Sequence, residues 1–178
     1  MTQPMNARSE TVVVYRDADY ASVGRRLLID FIDTAVAGTV AVVLSVIAWM
    51  FSQDAAGGLA AVASWVVVWI AYFVLLKGSR FRTLGYVIAG ARIVDRTGQR
   101  PGYGALLFRL SFVIFGPANF LIDLLWVSTD LSRQALRDKF AHTYVIRNGA
   151  APVGTGRVVY RVYMVFGWTM LFPEVSGS

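Results

Sequence analysis

Two arginines and two aspartates fall within nine positions, Arg25 to Asp33, directly ahead of eighteen uncharged residues, Thr34–Phe51. On a helix Arg26 and Asp30 stand four apart, and Asp30 and Asp33 three apart, so all three share one face. A carboxylate as deep as Asp33 costs roughly 3 kcal/mol against lipid, and Asp is too short to snorkel to the headgroups as Arg does. Asp33 is therefore expected to face protein, water or a cation. Arg109 and Asp123 interrupt a later apolar segment in the same way. Two chemistries suit such groups. Carboxylates within transporter helices bind cations or relay protons. Alternatively they pair with Arg26 and Arg109 and hold a compact fold in register. We read Arg26, Asp30, Asp33, Arg109 and Asp123 as structural, ion-pairing groups.

Nothing else in the chain offers catalysis. There is no cysteine and a single histidine, His142, expected as a surface or packing residue. Neither a hydrolytic triad nor a zinc-type ligand cluster can be assembled from these residues. Gly102-Tyr103-Gly104 lacks the spacing and the strand–helix context of a phosphate loop. The expectation is a protein that is not an enzyme, with no cofactor and no metal.

Hydrophobic residues make up 56% of the 178, and the mean hydropathy is +0.55, well above soluble usage. This composition predicts an integral membrane protein. The net charge of +6 is spread over loops, which fits topology and anionic headgroups better than nucleic acid. Two spans are expected, at about 26–51 and 59–76, each long enough to cover the hydrocarbon core. Ala37, Gly38 and Ala41 would let a second helix approach closely. Ser22 is a plausible helix cap. The first span follows a polar start and lacks a cleavage signal, so it reads as an uncleaved anchor. The connecting turn has no basic residue, whereas Arg25 and Arg26 precede the first span and Lys77, Arg80 and Arg82 follow the second. That asymmetry predicts a helical hairpin with both feet, and the N-terminus, in the cytoplasm.

A third apolar segment, Ala105–Val127, is broken at Gly116-Pro117. Were it a straight crossing, Arg133, Arg137, Lys139, Arg147, Arg157 and Arg161 would lie outside against the single acid Asp138. The strand-like Ala91–Asp95 and Thr143–Arg147 would then be on opposite sides. A re-entrant hairpin folded at the proline removes both difficulties and sets Arg109 beside Asp123, which a straight helix would hold ~21 Å apart. The expected fold is an all-α membrane protein: a transmembrane hairpin, a third broken helix, and a small cytoplasmic cap with short strands. Residues 1–19 are expected as a flexible leader, with Thr11–Tyr15 as a candidate strand. Residues 20–147 form the membrane domain and 148–178 an apolar extension. Within that extension Val158–Phe172 is too short for a clear span, leaving an interfacial segment, a strand or a partner surface open.

The motifs resemble the RDD family of small bacterial membrane proteins, named for one arginine and two aspartates, over about Tyr20–Arg147. Arg26 and Asp33, in Ala21-Ser22-Val23-Gly24-Arg25-Arg26 through Asp33, are similar to the family arginine and first aspartate. Thr83-Leu84-Gly85-Tyr86 stands where the family usually has Thr-Pro-Gly-Lys. Asp123, or Asp138 within Gln134–Ile146, is similar to the second aspartate. The resemblance implies a bacterial inner (plasma) membrane protein linked to transport, either cation–proton exchange or association with assemblies such as Mce-type lipid importers. With small size, no catalytic constellation and an apolar tail, the expected function is an accessory subunit of a larger membrane transport complex. Its partners would be membrane lipids and other integral membrane proteins. An independent transporter of cations or small solutes is the alternative.

Overall fold

A computed structural model describes residues 11–51, 54–114, 126–127, 134–165 and 168–176. It is mostly helical, with two long apolar helices and a set of strands at their feet. Helix α1, Val23–Phe51, starts where Ser22 Oγ accepts the Arg25 amide at 3.4 Å. Helix α2, Ala55–Ile70, continues into a π-helical turn, Ala71–Leu76. Asp54 caps α2 by accepting the Ala56 and Gly57 amides at 2.9 and 3.1 Å, so it begins a turn earlier than the expected Leu59.

Lipid is the medium these helices fit. Only 17% of the most apolar window of either is buried, where a core helix of a water-soluble protein would be covered. Phe31, Phe51 and Leu59 are 75, 88 and 71% exposed. Apolar surface on that scale has no place in water. At 29 residues α1 runs ~44 Å, beyond the ~30 Å of hydrocarbon. Counted back from Phe51, ~20 residues end near Ile32, so Asp33 sits at the hydrocarbon boundary and Arg26 and Asp30 a turn or two outside. Between α1 and α2 the close approach falls on Ala37 and Ala41, both fully buried, with the Ser45 and Ser64 hydroxyls 3.1 Å apart. Gly38 lies off this seam and touches nothing within 4 Å of a built Cβ.

At the feet, a short helix α3 (Leu84–Ile88) leads into strand β2 (Ala91–Asp95), which pairs antiparallel with β3 (Thr143–Arg147) in the register Ala91↔Arg147 to Asp95↔Thr143. The two strand-like runs therefore lie side by side, as the sequence predicts. Helix α4, Tyr103–Ile114, spans ~18 Å in its described length, and a five-residue helix α5 (Leu136–Phe140) precedes β3. Phe112 and Phe140 pack at 5.6 Å between ring centres and bind α4 to α5. The expected break at Gly116-Pro117 lies outside the described residues, as does the leader before Thr11.

The termini are built of strands, one of the readings the sequence leaves open for Thr11–Tyr15 and for the apolar tail. Strand β1, Thr11–Val14, precedes a 3-10 turn at Asp17–Asp19, so the second half of the expected flexible leader is structured. β1 pairs with β4 (Gly154–Val165), which pairs with β5 (Trp168–Ser176), giving a three-stranded antiparallel sheet β1-β4-β5. Of the readings open for the apolar tail, the structure shows the strand, as an antiparallel β4–β5 pair. β-branched and aromatic residues crowd Val158–Val165, and that composition favours a pleated backbone.

Among the described glycines, Gly85 is the most tightly enclosed. A Cβ there would lie 2.5 Å from the Ile29 carbonyl oxygen and 2.7 Å from Asp33 Oδ1. Gly85→Ala is expected to push α3 off α1 and cost about 1–3 kcal/mol, as overpacking does. A denaturation midpoint unchanged from the parent chain in the same detergent would refute this contact.

A buried charge cluster at the helix feet

The site is built on Asp138, which has no exposed surface. Its two carboxylate oxygens accept from different helices: Oδ2 from Arg26 Nη1 of α1 and Oδ1 from Arg109 Nη1 of α4. The Ala135 amide also donates to Oδ2 at 3.3 Å, the reach-back that an acid in a helix's first turn makes. Arg26 and Arg109 are 4 and 5% exposed. Each guanidinium finds a second acceptor, Arg26 Nε on the Ala21 carbonyl at 3.3 Å and Arg109 Nη1 on Thr143 Oγ1 at 2.7 Å. Gln134 donates to the Thr143 carbonyl at 3.0 Å and ties the cluster to β3.

Asp33, also fully buried, meets no guanidinium among the described residues. Its Oδ1 accepts from the Gly85 amide at 2.7 Å and the Tyr72 hydroxyl at 3.1 Å, and its Oδ2 from Thr83 Oγ1 at 2.6 Å. The π-helical turn carries Tyr72 into this position, where its hydroxyl also accepts the Leu84 amide at 3.1 Å. Leu84 and Tyr86 flank the glycine that allows Asp33 this close approach.

Asp30 is held by Arg137, and this pair is nearly covered, with side chains 15 and 12% exposed. Lys77, directly after the second span, lies over the rings of Tyr86 at 4.9 Å and Phe73 at 5.4 Å. Burial, and then the positive field of Arg109, pulls its ammonium down to about 7. Burial likewise raises the Tyr86 phenol above its ordinary value. A cavity of about 70 Å³ lies between Asp30, Trp69, Lys77, Arg109 and Arg137.

The expected pairs are rearranged. Arg26 and Arg109 both turn to Asp138, a residue the sequence suggests only as a motif member. Asp30 takes Arg137, and Asp33 takes neutral donors. Asp123, expected beside Arg109, lies outside the described residues. Thr83, Gln134, Arg137, Thr143 and Lys77 belong to the site without having been singled out. Of these, Thr83 stands first in the second motif, Gln134, Arg137 and Thr143 lie within the third, and Lys77 is among the basic residues that follow the second span. His142 is exposed, and its Nδ1 lies 2.7 Å from Arg96 Nη2. Among the described residues no group of three or more His, Cys, Asp or Glu side chains is placed to hold a metal ion.

Two long apolar helices closed at one end by a buried arginine–aspartate cluster define a small helical membrane protein. A profile of the RDD family matches residues 20–142, and the chain belongs to that family. The matched region contains Arg26, Asp33, Arg109 and Asp138. No curated protein and no solved structure matches the chain.

Removing Asp138 leaves two guanidinium groups buried without their carboxylate, whereas Asp33→Asn turns one acceptor oxygen into a donor facing donors. The expected losses are about 3–5 kcal/mol for Asp138→Ala and about 1–3 kcal/mol for Asp33→Asn. Unfolding titrations of both variants in detergent measure them. The reverse order would show that Asp33, not Asp138, is the centre of the cluster.

Proposed function

We propose that the chain is a non-enzymatic accessory subunit that binds and stabilises a larger membrane transport complex, the family resemblance suggesting a Mce-type lipid importer. The observation that carries this reading is the saturation of the buried carboxylates. A cation or proton carrier needs a carboxylate that can be reached and can exchange its partner. Asp33 is held by three donors and Asp138 by two guanidinium groups and an amide, both without exposed surface. Such groups hold helices in register and leave the outer helix faces for lipid or other helices. The alternating-access architectures of secondary transporters also rest on repeated halves, and this chain has no visible repeat.

In this reading the protein sits in the bacterial plasma membrane with both helix feet and the N-terminus in the cytoplasm. The basic residues at the feet support that orientation, as does the lone charge, Asp54, in the opposite turn. The pairing of β2 with β3 supports an even number of crossings between Asp95 and Thr143, which a re-entrant third segment satisfies.

Gentle detergent purification of the tagged chain is expected to bring down integral membrane components of a transport system in fixed stoichiometry. Deleting residues 150–178, which removes β4 and β5, should weaken that assembly while leaving membrane insertion intact. A monomer or homodimer with no companion would overturn the reading. Cation-dependent proton flux in proteoliposomes, abolished by Asp33→Asn, would establish the independent transporter instead.

Orientation has its own test. Cysteine placed at the exposed Ala55 should react with an impermeant maleimide on intact cells, and cysteine at the exposed Ala151 only after lysis. Labelling of position 151 from outside sinks the proposed topology.

A further inference from the structure

A second cluster of charge lies beside the first and has the opposite character. Lys77, Arg80, Arg82, Arg92, Arg100 and Asn148 line a cleft of about 320 Å³ whose lining includes no carboxylate. The described salt bridges involve none of these five cations. Like charges gathered this closely repel one another unless something negative lies between them.

Two of the arginines, Arg82 and Arg92, are held in place rather than splayed. Arg82 adopts a left-handed backbone conformation, φ 61°, which a side chain with a Cβ reaches only at a cost in free energy. In that conformation its Nη1 donates to Asn148 Oδ1 at 2.6 Å and to the Ala91 carbonyl at 3.2 Å. Arg92 is anchored through Nη2 to the Ala150 carbonyl at 2.9 Å, while its buried Nε has no hydrogen-bond partner among the described residues. A buried N–H left unmatched inside a basic cleft is a donor waiting for an acceptor. Position adds to the argument. Lys77 and Ser79 directly follow the second span, and the exposed Phe81 lies 4.9 Å from the Arg80 guanidinium, as aromatic anchors do at the membrane surface. The cleft thus begins where the second span ends.

We propose that this cleft binds a phosphate group, the forked guanidinium donors of Arg80, Arg92 and Arg100 meeting its oxygens and Lys77 closing the inner end. Two sources share that chemistry: the headgroup of an anionic phospholipid and a soluble phosphate. The site shares Lys77 with the buried cluster but is otherwise built from its own arginines, and it does not depend on the accessory-subunit reading.

The test uses the full chain, freed of lipid in a neutral detergent. Native mass spectrometry follows titration with phosphatidylglycerol and with phosphatidylcholine. Thermal melting compares sodium phosphate with sodium chloride at equal ionic strength. Arg80→Gln/Arg100→Gln removes two exposed cleft cations, and Arg147→Gln/Arg157→Gln removes the same charge from exposed positions outside the cleft. Phosphatidylglycerol retained over phosphatidylcholine and weakened about tenfold in the cleft variant alone establishes a headgroup site, two charge-assisted contacts being lost. Stabilisation by phosphate over chloride, lost in the cleft variant and without lipid preference, establishes a soluble phosphate site. Equal weakening in both double variants, or no preference in either arm, overturns the proposal.

Discussion

One buried carboxylate, Asp138, meets guanidinium groups from two helices, and the closed end of the molecule is arranged around that contact. Taking three charges out of water is costly, and the attraction between them offsets that cost only when the remaining donors are also satisfied. Here the Ala21 carbonyl and the Thr143 hydroxyl accept from the two guanidinium groups, and the Ala135 amide donates to the carboxylate. The contact therefore fixes the mutual position of α1, α4 and α5 more strictly than apolar packing could, because the alternatives strand a charge. Its stabilising value against an apolar replacement is modest. Its value lies in permitting one arrangement.

Asp33 performs a related task with different partners. It sits where α1 leaves the hydrocarbon and gathers the Thr83 hydroxyl, the Gly85 amide and the Tyr72 hydroxyl. The second helix and the chain beyond it are thereby drawn to the first. Gly85 is required because backbone and carboxylate approach within the volume that a methyl group would fill. The two aspartates divide the work: Asp33 closes the hairpin, and Asp138 brings the later helices onto it.

The strands carry the same logic to the polar side. Pairing β2 with β3 places Thr143, whose carbonyl accepts from Gln134, where its hydroxyl supports Arg109, so a sheet of two strands is part of the charged site. The second sheet joins the beginning of the described chain to its end, since β1 pairs with β4. A bridge between Tyr20 and Ile146, with the Ala21 amide on the Val145 carbonyl at 2.9 Å, links the approach to α1 with β3. Ring contacts among Tyr15, Tyr20 and Tyr144 fill the space between. Family membership is established over 20–142, and the β4–β5 hairpin lies beyond that range.

Local physical chemistry made several features readable from sequence alone. Runs of eighteen uncharged residues identify two helices suited to lipid, Ser22 marks where the first begins, and β-branched runs mark β2 and β3. Each follows from a property of neighbouring residues: hydropathy summed over a span, a side chain that reaches its own backbone, or a pleated preference. The family arginine and first aspartate were legible for the same reason, as charges where no charge is expected. Their partners were not. Local spacing points Arg26 toward Asp30, four residues on, yet it binds Asp138, 112 positions away. Which carboxylate a guanidinium meets depends on how helices pack and rotate, and no periodic pattern encodes that. The basic cleft was equally hidden, because Lys77, Arg80, Arg92 and Arg100 are ordinary cations scattered along the chain until α3 and β2 fold them around one space. Sequence determined that buried charges must find partners here. Tertiary structure alone decided which, because a pairing across a hundred residues is a property of the packed helices and not of the chain between them.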